Sequence, residues 1–205
     1  MSATPPNYRG APTLSAALGL TGRNYLVQHK VLSLGHSYRV MDANKNELFH
    51  VQGDAGQNLA GNALGSMVGG YLGRMVARSI DMTYGIVAAN GTRWGTLKKT
   101  GGANQSTFTL VDNGGQPWVI VQMARSLIGG VTATAVWPNG QPMMHTKGNL
   151  IRHNFFIKDP GGNDLAKVHQ QWIAIRDTYN VDLLGNIDPL YPLTFSVVID
   201  YEKEK

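Results

Sequence analysis

The chain has 205 residues, of which 42% are hydrophobic and 15% are charged, and its formal net charge is +5. This composition is typical of one sizeable globular domain with a mildly basic surface, which favours anionic partners such as a membrane surface or nucleic acid. The absence of cysteine excludes disulfides, thiolate metal sites and a cysteine nucleophile, and it is compatible with a reducing compartment.

The first 23 residues have the features of a flexible tail. Pro5, Pro6 and Pro12 interrupt this segment, and it lacks the basic start of a secretory signal. No stretch of the chain reaches about 18 uninterrupted apolar residues, so a standard transmembrane helix is not expected. The sequence therefore predicts a flexible tail at 1–23, followed by a single domain at 24–205.

Short strands joined by turns fill most of this domain. A strand at 24–32 comes first, and five hairpins follow it, with turns at 43–46, 90–91, 113–115, 138–140 and 159–162. Asn-Gly pairs in several of these turns predict type I′ geometry, in which both central residues have positive φ. A later region at 170–184 has the pattern of two short strands. About twelve evenly spaced antiparallel strands indicate a mainly β fold, either a closed barrel or a sandwich.

A glycine-rich segment at 55–80 lies between the first and second hairpins, and its spacing predicts an inserted helix. The glycines recur at every fourth residue and form a ridge, or glycine zipper, of Gly61, Gly65, Gly69 and Gly73. Apolar side chains cover about half of the helical wheel, and they are Leu64, Met67, Val68, Tyr71, Leu72 and Met75. Each glycine inside a helix costs about 1 kcal/mol relative to alanine, so the ridge predicts close contact with another surface. That surface is the protein's own barrel, a second subunit or a membrane.

The C-terminal segment at 188–205 has apolar residues on every side. Its β-branched residues are compatible with a strand. A helix that is apolar around its whole circumference must be buried, for example inside a barrel. The pattern alone leaves both alternatives open.

Both ends of the domain resemble one protein superfamily. The first part is NYLVQHKVLSLGHSYRVMDANKNELFHVQG (24–53), and the second is DTYNVDL (177–183) followed by DPLYPLTFSVVIDYEK (188–203). They are similar to the N-terminal and C-terminal parts of the domain shared by the LURP-one-related, tubby-C-terminal-like and phospholipid scramblase superfamily. The resemblance implies a twelve-stranded antiparallel closed barrel with a buried hydrophobic C-terminal helix. It also implies a non-enzymatic role, because tubby domains bind phosphoinositide headgroups through basic residues and scramblases act at membranes with calcium.

Basic side chains are the candidates for contact with lipid headgroups, and they are Arg74, Arg78, Lys98, Lys99, Lys147 and Arg152. A basic residue close to an anionic membrane contributes about 1 kcal/mol of attraction. The six histidines show no metal-ligand spacing, so neither a metal site nor a cofactor is expected. In a scramblase-like interpretation, Asp182 and Asp188 are weak calcium candidates, although a turn or helix-cap role fits them better.

The sequence thus favours a non-catalytic module that binds anionic phospholipid or phosphoinositide membrane surfaces from the cytoplasm. It contains no Gly-x-Ser-x-Gly motif, P-loop or dinucleotide-binding motif, so an enzyme is not expected. Nucleic acid is not expected as a partner either, because aromatic residues interleaved with basic ones occur only weakly, at 94–99. The alternative is a soluble interaction protein that uses the glycine-rich helix for partner binding or for self-association as a homo-oligomer.

Overall fold

The structure is a computed structural model that describes residues 15–32, 35–53, 81–101, 105–125, 131–150, 154–170 and 178–203. These residues include twelve strands and one long helix, α1 (Leu190–Lys203). The strands are β1 (Asn24–Leu32), β2 (Gly35–Asp42), β3 (Glu47–Gly53), β4 (Met82–Ala88), β5 (Arg93–Gly101), β6 (Gln105–Asp112), β7 (Pro117–Arg125), β8 (Val131–Val136), β9 (Pro142–Asn149), β10 (Asn154–Lys158), β11 (Asp164–Gln170) and β12 (Thr178–Leu183).

The twelve strands form one closed antiparallel barrel, which confirms the predicted fold class. Each strand pairs with its neighbours along the chain, and β12 pairs with β1 to close the sheet. In the closing register, Val27 lies opposite Tyr179, and on its other side it lies opposite Val40. Because every strand has two partners, the barrel presents no open edge to another chain.

The barrel wall follows from the alternation of side chains along each strand. In β4, Met82, Tyr84, Ile86 and Ala88 are buried, and the residues between them are only partly buried. Successive side chains of a strand point to opposite faces, so the first set points into the barrel and the second points outwards. The same alternation in the neighbouring strands produces one continuous apolar interior.

Helix α1 runs through the inside of the barrel, as the family resemblance implies. Its apolar side chains are buried on every side of the helix, which explains why the sequence shows no polar face. Near its start, Tyr191 packs edge-to-face on Trp137, with ring centroids 5.4 Å apart. Near its end, the Tyr201 hydroxyl donates a hydrogen bond to the Met82 sulfur, at 2.9 Å. The helix therefore begins at the end of the barrel that carries the five hairpin turns, and it ends at the opposite end.

Asp188 fixes the point at which α1 begins. Its Oδ1 atom accepts a hydrogen bond from the backbone N–H of Leu190, at 2.9 Å, and so caps one of the unpaired donors of the first turn. Pro192 lies within that first turn, where a missing N–H costs no helical hydrogen bond. The cap role that the sequence favoured for Asp188 is confirmed.

All five predicted hairpins are present, but their turns are not of type I′. In the second hairpin, the Gly91 N–H donates to the Ala88 carbonyl, at 2.9 Å, and Gly91 has positive φ (84°). Asn90 is not among the positive-φ residues, so the turn is a type I turn followed by one left-handed residue and a bulge. The other four hairpins repeat this pattern, with positive φ at Lys45, Gly115, Gly140 and Gly162. The type I′ prediction was wrong because an Asn-Gly pair also fits the last two positions of this longer loop.

Lys45 is the exception among the five left-handed residues, since the other four are glycines. A Cβ atom at those four glycines would meet nothing within 4 Å, so glycine is needed there for its conformation and not for space. A left-handed backbone costs a non-glycine residue about 1–2 kcal/mol.

We expect Lys45→Gly to raise the melting temperature. Removing the left-handed penalty outweighs the extra entropy that glycine adds to the unfolded chain, which is about 0.5–1 kcal/mol. For a domain of this length, a gain near 1 kcal/mol corresponds to a rise of about 2–4 °C. Lys45→Ala is the control, because alanine keeps the Cβ atom and therefore the penalty. A Lys45→Gly variant that melts at or below the temperature of Lys45→Ala would contradict this expectation.

The part of the predicted tail that the structure describes packs on the barrel. Leu18 and Leu20 are 2% and 5% exposed and belong to the hydrophobic core, and the Ser15 hydroxyl donates a hydrogen bond to Asp188. The prediction of a loose tail up to residue 23 is therefore wrong for residues 15–20. Two leucines spaced two apart carry too little periodicity to be recognised as core residues.

Two predicted elements lie partly or wholly outside the described residues. The glycine-rich insert at 55–80, with its ridge and apolar arc, is one of them. The other is the first of the two short strands expected at 170–184, because residues 171–177 are not described, whereas the second is present as β12. The described strands on either side of the insert are β3, which ends at Gly53, and β4, which begins at Met82. Both of these strand ends lie at the end of the barrel where α1 ends.

Candidate functional site

The barrel interior is filled by the protein's own side chains. A cavity of about 10 Å³ remains between α1 and the wall, which is room for about one water molecule. It is apolar and is lined by Tyr38, Val51, Tyr84, Leu97, Phe108, Val197, Val198 and Tyr201. This space is too small for a lipid chain or a small-molecule substrate.

Lys99 lies inside the barrel and not on the surface that the sequence analysis assigned to it. Its side chain is 1% exposed, and it shares the end of the barrel interior with Asp200 and Glu202 of α1, which are 1% and 3% exposed. The reason is the alternation of β5, in which Leu97 points inwards, Lys98 outwards and Lys99 inwards. The prediction that Lys99 contacts lipid headgroups is therefore wrong.

Lys99, Tyr84 and Glu202 form a polar cluster at this end of the barrel interior. Burial lowers the pKa of Lys99 below its usual range, and the negative charges of Glu202 and Asp81 act in the opposite direction. Burial also raises the pKa of the Tyr84 hydroxyl, and the Glu202 charge adds to that rise. The Tyr84 hydroxyl donates to the Met82 sulfur, at 3.2 Å. The Glu202 charge thus acts on Tyr84 of β4 and on Lys99 of β5, which indicates a structural role for Lys99.

Lys98 is exposed on the outer face. Its neighbours across the two adjacent strands are Thr83 and Thr109. Lys147 is also exposed, on β9, four strands further around the barrel. Strands are about 4.8 Å apart, so Lys98 and Lys147 are separated by roughly 19 Å along the sheet and do not form one cluster.

Lys147 is the first member of a row of side chains that crosses three strands. It lies opposite Phe156 of β10, and Phe156 lies opposite Lys167 of β11. All three side chains point away from the barrel interior, because the residues next to Phe156, namely Phe155 and Ile157, are the buried ones of β10. We call Lys147, Phe156 and Lys167 the lysine–phenylalanine row.

Lys158 covers one side of the ring at the centre of this row. Its ammonium lies 5.8 Å from the centroid of the Phe156 ring, within the range of a cation–π contact. The same ammonium donates to the Asp164 carboxylate and to the Gly162 carbonyl, the latter at 3.1 Å. Lys158 is therefore held in place by its own hairpin, and its charge is compensated there.

Asp182 and Asp188, the calcium candidates, both make hydrogen bonds within the protein. Asp182 accepts a hydrogen bond from the Asn24 side-chain amide, at 2.8 Å, and its other oxygen is 3.4 Å from His169 Nδ1. Burial raises the pKa of Asp188, although hydrogen bonds from Ser15 and from the Leu190 N–H oppose the rise. Among the described residues, no group of three or more histidine, aspartate or glutamate side chains could hold a metal ion.

The remaining candidates cannot be placed, because they lie outside the described residues. They are the basic residues Arg74, Arg78 and Arg152, the apolar residues Leu64, Met67, Val68, Tyr71, Leu72 and Met75, and the ridge glycines Gly61, Gly65, Gly69 and Gly73.

Comparison with known proteins identifies the family. The model of the LURP-one-related family matches residues 23–200, which is most of the chain. The chain belongs to the LURP-one-related family. A crystal structure of a protein from Arabidopsis thaliana is similar in fold, with a TM-score of 0.53 and 13% sequence identity, over 87% of this chain and 90% of that one. No curated protein matches the chain.

Family membership and the closed barrel fit a tubby-like domain, in agreement with the resemblance seen in the sequence. In the part of this LURP-one-related chain that the structure describes, no helix has the length and apolar character needed to cross a bilayer.

Sequence reasoning missed two members of the lysine–phenylalanine row. Phe156 and Lys167 occupy outward positions of β10 and β11, next to inward residues that the alternation pattern identifies. That pattern could have shown that both side chains point outwards. It could not have shown that this LURP-one-related barrel places them beside Lys147, because the register between strands depends on the turns and bulges.

Proposed function

We propose that the protein is a non-catalytic module that binds anionic phospholipid or phosphoinositide surfaces, in the cytoplasm and peripherally at the membrane. The observation that carries this proposal is the filled barrel. Helix α1 occupies the described part of the interior, so we place ligand contact on the outer face. On that face, Lys98 and Lys147 are exposed. Neither ammonium has an ion-pair partner among the described residues.

Charge favours an anionic surface over a neutral one. The formal net charge of the chain is +5, and each lysine near an anionic membrane contributes about 1 kcal/mol. A few such residues give reversible binding, which is what a peripheral module requires.

We expect the purified protein to sediment with vesicles that contain phosphatidylserine or a phosphoinositide, and not with pure phosphatidylcholine vesicles. Binding should weaken as salt rises, because the Debye length falls from about 10 Å at 0.1 M to about 3 Å at 1 M. Co-sedimentation across these lipids and salt concentrations is the measurement.

Two results would contradict the proposal. Equal sedimentation with neutral and anionic vesicles would show that charge does not drive binding. No sedimentation with any vesicle would favour the alternative, a soluble interaction protein, and a change of apparent size on a sizing column after substitution of Gly65 and Gly69 would then support self-association through the glycine-rich segment.

A further inference from the structure

We propose that the outer face formed by β9, β10 and β11 is the surface that docks on an anionic bilayer. In this arrangement, Phe156 inserts among the headgroups, and Lys147 and Lys167 bind their phosphates. The inference rests on the proposed function and adds to it the part of the barrel that faces the membrane.

The register sets the spacing of the two charges. Lys147 and Lys167 both lie opposite Phe156, one on each neighbouring strand, so their backbones are two strand spacings apart, roughly 10 Å. Directly opposite side chains on a sheet are in contact distance of each other. The row therefore presents one aromatic ring with a cation on either side.

Both lysine charges are available to a ligand. Within the described ranges, neither Lys147 nor Lys167 has an ion-pair partner. Asp182 lies directly opposite Lys167 on β12, but it is hydrogen-bonded to Asn24 and lies near His169, and Asp164 pairs with Lys158. The three lysines of this face, Lys147, Lys158 and Lys167, therefore outnumber these two carboxylates.

Phe156 differs from the other partly buried aromatic residues of the barrel. Trp94 and Trp137 are partly buried because they pack against the hydrophobic core. Phe156 is outside the core cluster, and it contacts the Lys158 ammonium instead. A partly exposed phenyl ring flanked by lysines has a polar rim and an apolar centre, which suits the interface between lipid headgroups and acyl chains.

A bilayer fits this face better than a nucleic acid does. Single-stranded nucleic acid binds by stacking successive bases on several rings along a basic groove. On the described part of β9, β10 and β11, Phe156 is the one outward-facing phenyl or indole ring. One ring between two cations fits insertion into a membrane surface. A single-stranded nucleic acid would need several rings along its path.

The test compares two double variants with equal loss of charge. Lys147→Gln/Lys167→Gln removes both cations of the row, and Arg23→Gln/Lys45→Gln removes two exposed cations from the hairpin end. With phosphatidylserine-containing vesicles at low salt, we expect the first variant to bind about 30-fold more weakly and the second to bind nearly as well as the unmodified protein. The difference in vesicle binding between the two double variants should disappear at high salt.

Phe156→Thr tests the insertion. Losing the ring should weaken binding about tenfold at every salt concentration, because the apolar contribution is not screened. Phe156→Trp should restore binding. Thermal melts of all variants check that the barrel is intact, and threonine suits an outward strand position.

Three outcomes would overturn the assignment. If Lys98→Gln weakens binding while the Lys147→Gln/Lys167→Gln variant does not, the docking face is elsewhere and the proposed function still stands. If the unmodified protein binds no anionic vesicle, the proposed function fails, and this inference fails with it. If single-stranded RNA displaces the protein from vesicles and binds through the same row, the partner is a nucleic acid.

Discussion

Deletion of residues 190–205 is expected to leave a chain that does not fold. The deletion removes all of α1, whose apolar side chains from Leu190 to Tyr201 are buried in the barrel. Each large-to-small loss in a core costs about 2–5 kcal/mol, and the whole stability of a typical domain is only about 5–15 kcal/mol. A few of these losses exceed that stability, so the emptied barrel should collapse into an aggregate or an unfolded chain.

Two milder variants make this expectation quantitative. Deleting only residues 204–205 should leave the melting transition unchanged, because the helix ends at Lys203. Phe195→Ala keeps the helix but leaves a cavity, and it should lower the unfolding free energy by about 3–5 kcal/mol. Circular dichroism and thermal melts measure all three variants. A soluble 1–189 fragment that melts cooperatively would show that the barrel does not depend on its central helix.

The sequence was informative about α1 because its composition leaves few alternatives. A helix with no polar face has to be buried, and about twelve predicted strands can form a barrel that surrounds it. Pattern alone could not decide between strand and helix at the C-terminus, since β-branched residues are common to buried strands and buried helices. The family resemblance decided this point correctly.

The turns illustrate a different limit. The position of each hairpin was predicted within a residue or two, because Gly, Asn and Asp interrupt the apolar alternation. The turn type was wrong, because the same Asn-Gly pair fits two loops that differ by one residue in length. Loop length sets the register of the next strand, so contacts between strands cannot be obtained from the turn residues alone.

Both adjacent lysines of β5 were candidates for headgroup contact, and the structure places them on opposite faces of the strand. Neighbouring residues of a strand point to opposite faces, so Lys98 and Lys99 cannot both face a ligand. The alternation that runs through Leu97 was sufficient to assign Lys99 to the interior. The error came from treating a pair of basic residues as one patch before asking which face each one occupies.

The buried position of Lys99 leads to the second large expected effect. Lys99→Met keeps most of the side-chain volume and removes the charge, which leaves Glu202 buried at the end of α1 without the Lys99 cation that interacts with it. Removing one partner of a buried set of charges costs about 3–5 kcal/mol. The C-terminal end of a helix carries a partial negative charge, which makes the loss of a cation there more unfavourable.

Lys98→Met is the matched control for this substitution. It makes the same chemical change one residue earlier on the same strand, but on the exposed face, where substitutions usually change stability by less than about 0.5 kcal/mol. At about 2–4 °C per kcal/mol, Lys99→Met should melt roughly 6–20 °C below Lys98→Met.

A double variant separates the lost charge from a packing defect. Lys99→Met/Glu202→Met removes one charge of each sign, and replacing a buried ion pair by apolar side chains of similar size is often neutral or stabilising. We therefore expect the double variant to recover a large part of the stability that Lys99→Met loses. Denaturant unfolding of the four proteins gives the free energies for this comparison. Equal stability of Lys99→Met and Lys98→Met would show that the Lys99 charge does not stabilise the cluster, and a double variant less stable than Lys99→Met would show that Glu202 acts independently of it.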